Sequence, residues 1–128
     1  MTTRKRVMIV DDEPIVGERL RASLELAGFA VDAFVSSKDA LAKLAQEEYD
    51  ILVTDLKMSE PDGIELLQTV KQIRPGIKSI VITGFATTDT ARQAKLSGAA
   101  EFITKPFKIS DLKRRLLALV EAEEDSHD

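Results

Sequence analysis

Short apolar runs alternate along the chain with longer stretches in which apolar residues recur every three or four positions. Val7 to Val10, Val31 to Phe34, Ile51 to Thr54, Ile80 to Thr83 and Phe102 to Thr104 are, apart from Asp32, β-branched or otherwise apolar, and each runs into polar or small residues. They read as five strands. After the first, Val16, Leu20, Leu24 and Ala27 fall on one helical face, and Gly28 supplies the stop. Ser36 or Ser37 caps a second helix carrying Leu41 and Leu44, and Ile64, Leu67, Val70 and Ile73 mark a third that must end before Pro75 and Gly76. A fifth, opened by Ser110, carries Leu112, Leu116, Leu119 and Val120 before dissolving into Glu123, Glu124 and Asp125. The fourth, between Thr87 and Gly98, has only Ala91, Ala94 and Leu96 to turn inward, so it buries little apolar area and is the least anchored.

Strand and helix alternate strictly, and the runs VMIV, ILVT and SIVIT are apolar nearly throughout, as in strands covered on both faces. The pattern predicts a doubly wound α/β fold, (βα)5, with a mainly parallel five-stranded sheet between two helical layers. No repeat or linker interrupts it. One domain fills residues 1–128, with a core from about 5 to 121 and a mobile acidic tail over 122–128.

Composition narrows the function. A chain of 128 residues, 44% apolar and 31% charged, suits a single soluble domain. With no Cys, disulfides, thiol nucleophiles and Cys-ligated metals are excluded, and a cytoplasmic location is the default. The one His, His127, stands in the acidic C-terminal run, which closes off serine–histidine triads and histidine metal sites. Eighteen Lys and Arg against 22 Asp and Glu leave a net charge of −4, without the basic footprint of a nucleic-acid binder. Arg4, Lys5 and Arg6 read as a solvated entry to the first strand. No apolar run approaches the ~20 residues that span a bilayer, so no membrane contact is expected.

In open parallel sheets, ligands bind beyond the carboxyl ends of the strands. Here those ends carry Asp11, Asp12 and Glu13, then Asp55, then Thr83 and Gly84, then Lys105 and Pro106. Singly, each has an ordinary reading: Asp11 or Asp12 as a helix cap, Asp55 as the cap of a turn, Lys105 as a surface cation, Thr83 as a strand former and Gly84 as a turn residue. Together they place carboxylates, a hydroxyl and an ammonium on one edge. Uncompensated carboxylates raise one another's pKa, and a hard divalent cation relieves this, so Mg2+ is the natural occupant. Lys105 is expected near the acids as their counter-charge. The first loop, DDEPIVG, lacks the glycine signatures of phosphate-binding loops. A magnesium phosphohydrolase of the haloacid-dehalogenase type would require a second acid two residues after Asp55, where Lys57 stands.

The ordered set VDDE, TDLKMSEPDG, VITG and ITKPF resembles the receiver domain of two-component response regulators over essentially the whole chain. The stretch TGFATTDTARQAKLSGA is similar to receivers of the nitrogen-regulation and nitrogen-fixation types. The resemblance implies a flavodoxin-like strand order 2-1-3-4-5. It implies that Asp55 takes a phosphoryl group from the phosphohistidine of a histidine kinase or histidine phosphotransfer protein. Asp12, Asp55 and the main-chain carbonyl of Lys57 would hold Mg2+, with Asp11 supporting through water, while Thr83 and Lys105 would bind phosphoryl oxygens. Lys105-Pro106 is expected to be cis. Thr83, Phe102 and Pro106 are the expected switch residues, with the Thr83 hydroxyl moving toward the phosphoryl group and Phe102 filling the space it leaves. The output would be a protein contact with a downstream partner or a missing effector domain through the fourth helix, fifth strand and fifth helix, the face a homodimer would also use. Free-substrate turnover is not expected.

Two departures from the family pattern stand out. Ser59 occupies the place of a frequent Pro, with Pro61 displaced toward Asp62 and Gly63, and Lys57 and Phe85 occupy positions that tune phosphate lifetime. With no effector domain within residues 1–128, the domain is expected either to act alone or to be an excised fragment. The alternative from another class is a phosphate-independent interaction module that keeps the fold, against which the joint presence of Asp11, Asp12, Asp55, Thr83 and Lys105 argues.

Overall fold

The computed structural model describes residues 4–56, 62–84 and 86–125. In chain order the elements are β1 (Arg6–Val10), α1 (Pro14–Leu26), β2 (Ala30–Phe34), α2 (Ser37–Gln46), β3 (Ile51–Thr54), α3 (Gly63–Ile73), β4 (Lys78–Thr83), α4 (Thr88–Leu96), β5 (Glu101–Thr104) and α5 (Ile109–Asp125). The strands form one parallel sheet in the order β2-β1-β3-β4-β5. This is the doubly wound, flavodoxin-like order, with β3 at the centre.

Strand alternation divides the interior into two cores. Val7 and Ile9 of β1, Ile51 and Val53 of β3, and Ile80 and Ile82 of β4 pack with Leu20, Leu24, Leu112 and Leu116 of α1 and α5. Met8 and Val10, Leu52, and Val81 point the other way, onto Leu44 of α2, Leu66, Leu67 and Val70 of α3, and Ala94 of α4. Because β1, β3 and β4 are covered on both faces, their sequences read as continuous apolar runs.

The helix ends follow local chemistry. Ser36 caps α2 by accepting the Asp39 amide, Asp62 caps α3 by accepting the Glu65 amide, and Thr87 and Thr90 cap α4 reciprocally. Three details depart from the sequence pattern. Ser110 lies inside α5, which already begins at Ile109 and runs on past residue 121 to Asp125. Ala27 is exposed, since α1 has ended and Ala27 is its C-cap. Leu96 is 78% exposed, on the outer side of α4, so Ala94 is the only side chain of that helix that is fully buried. The low anchoring expected of α4 is therefore more pronounced than its sequence suggests.

At the sheet end where the strands begin, Arg6 ties three strands together. Its guanidinium lies 4.3 Å from the Tyr49 ring centroid and 2.6 Å from Glu47 Oε1, and its main-chain N–H donates to Asp50 Oδ2 at 2.8 Å. The Tyr49 hydroxyl donates to the Asp32 carboxylate. Burial, and then this hydrogen bond, push the Tyr49 phenol well above its ordinary value. The stability it contributes is thus full below the unfolded value of about 10 and is lost as pH rises through the folded one. Tyr49 is the only Tyr in a chain without Trp, so near-ultraviolet titration reports it alone. Phenolate absorbance is expected only together with alkaline unfolding; a separate midpoint near pH 10 in the folded protein would contradict this network.

Candidate functional site

Parallel register brings the chemistry together. Val10 pairs with Thr54, so the next residues, Asp11 and Asp55, leave the sheet side by side, 5% and 8% exposed. Thr83 and Thr104 are paired at the ends of β4 and β5, and the Lys105 amide donates to the Thr83 carbonyl at 2.8 Å. From β5 the Lys105 side chain crosses β4 and donates to Asp55 Oδ2 at 2.8 Å and Asp11 Oδ2 at 3.1 Å. The Lys105-Pro106 peptide bond is cis. Burial draws the Lys105 pKa down, but the hydrogen bonds and charges of Asp55 and Asp11 outweigh it and hold it above the ordinary lysine value. The ammonium therefore stays charged throughout the neutral range. Thr83 is fully buried at the end of β4.

Carboxylate oxygens of Asp11, Asp12 and Glu13 lie within 4.8 Å of one another, with Asp12 and Glu13 exposed and Asp11 buried. Asp11 Oδ1 accepts the Glu13 amide at 2.9 Å, which orients the loop. Glu13 is the N-cap residue of α1, yet its side chain makes no capping hydrogen bond. Such an all-oxygen, acidic donor set matches a hard divalent cation. Of the expected site residues, the fold thus gathers Asp11, Asp55 and Lys105 directly and Asp12 beside Asp11. Lys57, Ser59, Pro61, Phe85 and His127 lie outside the described residues. Phe102 is half-buried on the edge strand β5, against the core that also holds Ala94.

Two residues the sequence reading passed over hold the Asp55 main chain. The Thr54 hydroxyl donates to the Asp55 carbonyl at 2.9 Å, while Asp55 N–H donates to the Val10 carbonyl at 3.1 Å. Gly63 opens α3 against this strand end, donating its N–H to the Leu56 carbonyl at 3.1 Å. A Cβ on Gly63 would lie 2.3 Å from the Asp55 carbonyl oxygen and 2.6 Å from Leu56 Cα. The sequence signal for this approach is a glycine directly after a capping Asp, at a helix start where a side chain would ordinarily be favoured. Beside Lys105, an open cleft of about 420 Å3 is lined by Glu13, Val16, Lys105, Pro106 and Phe107.

This arrangement has close counterparts. Residues 7–117 match the response regulator receiver domain family. Transcriptional regulatory protein FixJ of Rhizobium meliloti is 40% identical over 126 residues, covering 95% of this chain and 62% of that protein. Transcriptional regulatory protein QseB of Haemophilus influenzae is 32% identical over 115 residues, 90% of this chain and 52% of that protein. The chain thus spans between about half and three fifths of the length of these two curated relatives. Among solved structures, a CheY-like response regulator receiver domain protein of Methanospirillum hungatei superposes with a TM-score of 0.90 at 31% identity, over 96% of this chain and 99% of that one.

Proposed function

The chain belongs to the response regulator receiver domain family, and from that membership we propose that it is a phosphorylation-dependent signalling switch with Asp55 as the phosphoryl acceptor. The observation that carries this reading is the Lys105 ammonium shared between Asp55 and Asp11 at the central strand ends. In the reaction, an Asp55 carboxylate oxygen attacks phosphorus, forming the P–O bond of an aspartyl phosphate. The P–N bond to a histidine kinase or histidine phosphotransfer protein breaks, and the imidazole leaves with the electron pair. Asp12, Asp55 and the Lys57 carbonyl would hold Mg2+, with Asp11 supporting through water; the acidic oxygen set around Asp11 fits that ion, which neutralises phosphoryl charge when bound. Lys105 moves from pairing two carboxylates to pairing a phosphoryl oxygen, and Thr83 donates its hydroxyl to another. The open cleft beside Lys105 supplies room for the donor's approach.

Switching is a repacking of α4 and β5 around Thr83, Phe102 and Pro106, and the output is contact of the α4-β5-α5 face with a downstream protein, an effector segment or a second copy. The protein works in the cytoplasm and turns over no free substrate. The test is intact mass after addition of Mg2+ and acetyl phosphate. The expected result is a metal-dependent gain of one phosphoryl group, absent in Asp55→Asn, a variant that stays folded because Lys105 keeps Asp11 as its partner. A folded, Mg2+-binding protein that gains no mass would make this a phosphate-independent interaction module.

A further inference from the structure

A second polar cavity lies at the opposite end of the sheet, where β4 begins rather than ends. About 200 Å3 in volume, it is enclosed by the second half of α3, the start of β4 and the C-terminal end of α4, through Leu67, Lys71, Lys78, Ser79, Ser97 and Gly98. Ser79 and Ser97 are only 5% and 8% exposed. Among the described residues neither hydroxyl has a hydrogen-bond partner in the protein. Both face the cavity, unlike Ser37 Oγ, which is sealed in the interior without a partner. Their oxygens reach the cavity space, so what occupies it, water or a ligand, fills their hydrogen-bonding capacity.

The charges around this cavity are of one sign. Lys71 and Lys78 border it, and among the described residues neither is ion-paired and no Asp or Glu lines it. Lys71 is folded across Gly98: a Cβ at that position would stand 3.2 Å from Lys71 Cδ and 3.6 Å from Nζ. Gly98 has φ +107°, a conformation that side chains resist, so the lysine occupies space that only glycine leaves open. The negative end of α4 does not oppose an anion strongly here. Its last carbonyls, on Gln93, Ala94 and Lys95, already accept the amides of Ser97, Ala99 and Gly98. Two hydroxyls and the Lys71 side chain, with the exposed Lys78 at the border, supply donors for one multiply charged group, and Leu67 forms part of an apolar back wall.

We propose that this cavity is a binding site for a phosphoryl dianion, as free phosphate or a small phosphate monoester, separate from the aspartate site and bridging α3 and α4. Occupancy would tie the end of the least anchored helix to α3. The test is an NMR titration of the whole chain in Mg2+-free buffer with inorganic phosphate, propyl phosphate and, at matched ionic strength, chloride. Saturable shifts are expected at the amides of Ser79, Ser97 and Gly98, with a dissociation constant on the order of 1 mM. They should persist in Asp55→Asn and weaken about tenfold in Lys71→Gln/Lys78→Gln and several-fold in Ser97→Ala. Tighter binding of propyl phosphate points to a monoester, and equal binding to the free ion. The proposal is overturned by shifts that chloride reproduces, that do not saturate, that survive the double lysine variant, or that centre on the strand ends around Asp55.

Discussion

Lys105→Met is expected to destabilise the fold by about 1–3 kcal/mol in metal-free buffer and to make stability depend steeply on divalent cation. Methionine keeps much of the stem's packing but removes the ammonium, leaving Asp11 and Asp55, both more than nine-tenths buried, without the cation they share. Breaking a buried pair by removing one partner costs about 3–5 kcal/mol; the lysine side chain is 22% exposed, so solvent takes up part of that cost. A cation bound by the folded state alone stabilises it by mass action, and the carboxylates freed by the variant should strengthen this response. Denaturant melts with and without Mg2+ measure it. Lys105 also contributes an alkaline limb: its raised folded value means stability that is complete below the ordinary lysine value of about 10.4 and lost as pH rises through the folded one. That limb should be absent from the variant's pH–stability curve. Equal stability and equal Mg2+ response in the two proteins would show that the ammonium is not the counter-charge of this pair.

Gly63→Ala is expected to have the largest effect on phosphorylation of any single methyl added to the protein. At most helix starts the exchange is neutral or stabilising by about 0.4–1 kcal/mol, because alanine restricts the unfolded chain. Here the new Cβ would meet main-chain atoms of Asp55 and Leu56 at 2.3 and 2.6 Å, and neither can swing aside as a side-chain tip could. Either α3 lifts from the strand end or the Asp55 peptide shifts. The cost in stability should be about 1–3 kcal/mol, the range for overpacking. The phosphorylation rate with acetyl phosphate should fall about 100-fold, since misplacing a reacting group by about 1 Å costs that much. Gly76→Ala is the control: nothing lies within 4 Å of its added Cβ, so both quantities should stay near wild type. A Gly63→Ala protein that phosphorylates at the wild-type rate would mean that α3 yields and Asp55 does not.

The alternation of apolar runs and amphipathic stretches was enough to read the strands and the three-layer class, because β1, β3 and β4 are covered on both faces and carry polar residues only near their ends. The strand-end residues were readable for a related reason. In a parallel sheet the last residue of each apolar run marks one edge, and a carboxylate or ammonium there is conspicuous. Less readable was anything set by rotation or approach. Leu96 is apolar, but it stands five residues after Ala91 and two after Ala94, spacings that put it on the far side of a helix, and α4 turns it outward. Ser110 offered a capping hydroxyl, but α5 starts one residue earlier, so the hydroxyl falls within the first turn. Glu13 was read as one more acid of the first loop, and only the fold shows its carboxylate uncommitted as a cap. Thr54 was only the end of the third strand and Gly63 only a landmark beside Pro61, because a hydrogen bond to the next carbonyl and a 2.3 Å approach leave no periodic trace.

The single buried alanine of α4 also sets how the molecule breathes. Amides of β1, β3 and β4 lie beneath two packed layers and can exchange their protons with solvent only when the whole domain opens. Those of α4 are held by a helix with one sealed side chain, a threonine cap and little else, so they should exchange through openings that leave the sheet intact. Hydrogen exchange would then divide the chain into two clocks, with the slow one running in the central strands that end beside Asp55 and the fast one in α4. Residues on the fast side can be replaced without disturbing the slow side, and under the proposed switch the outer surface of α4 can change its contacts while the Asp55 site keeps its geometry.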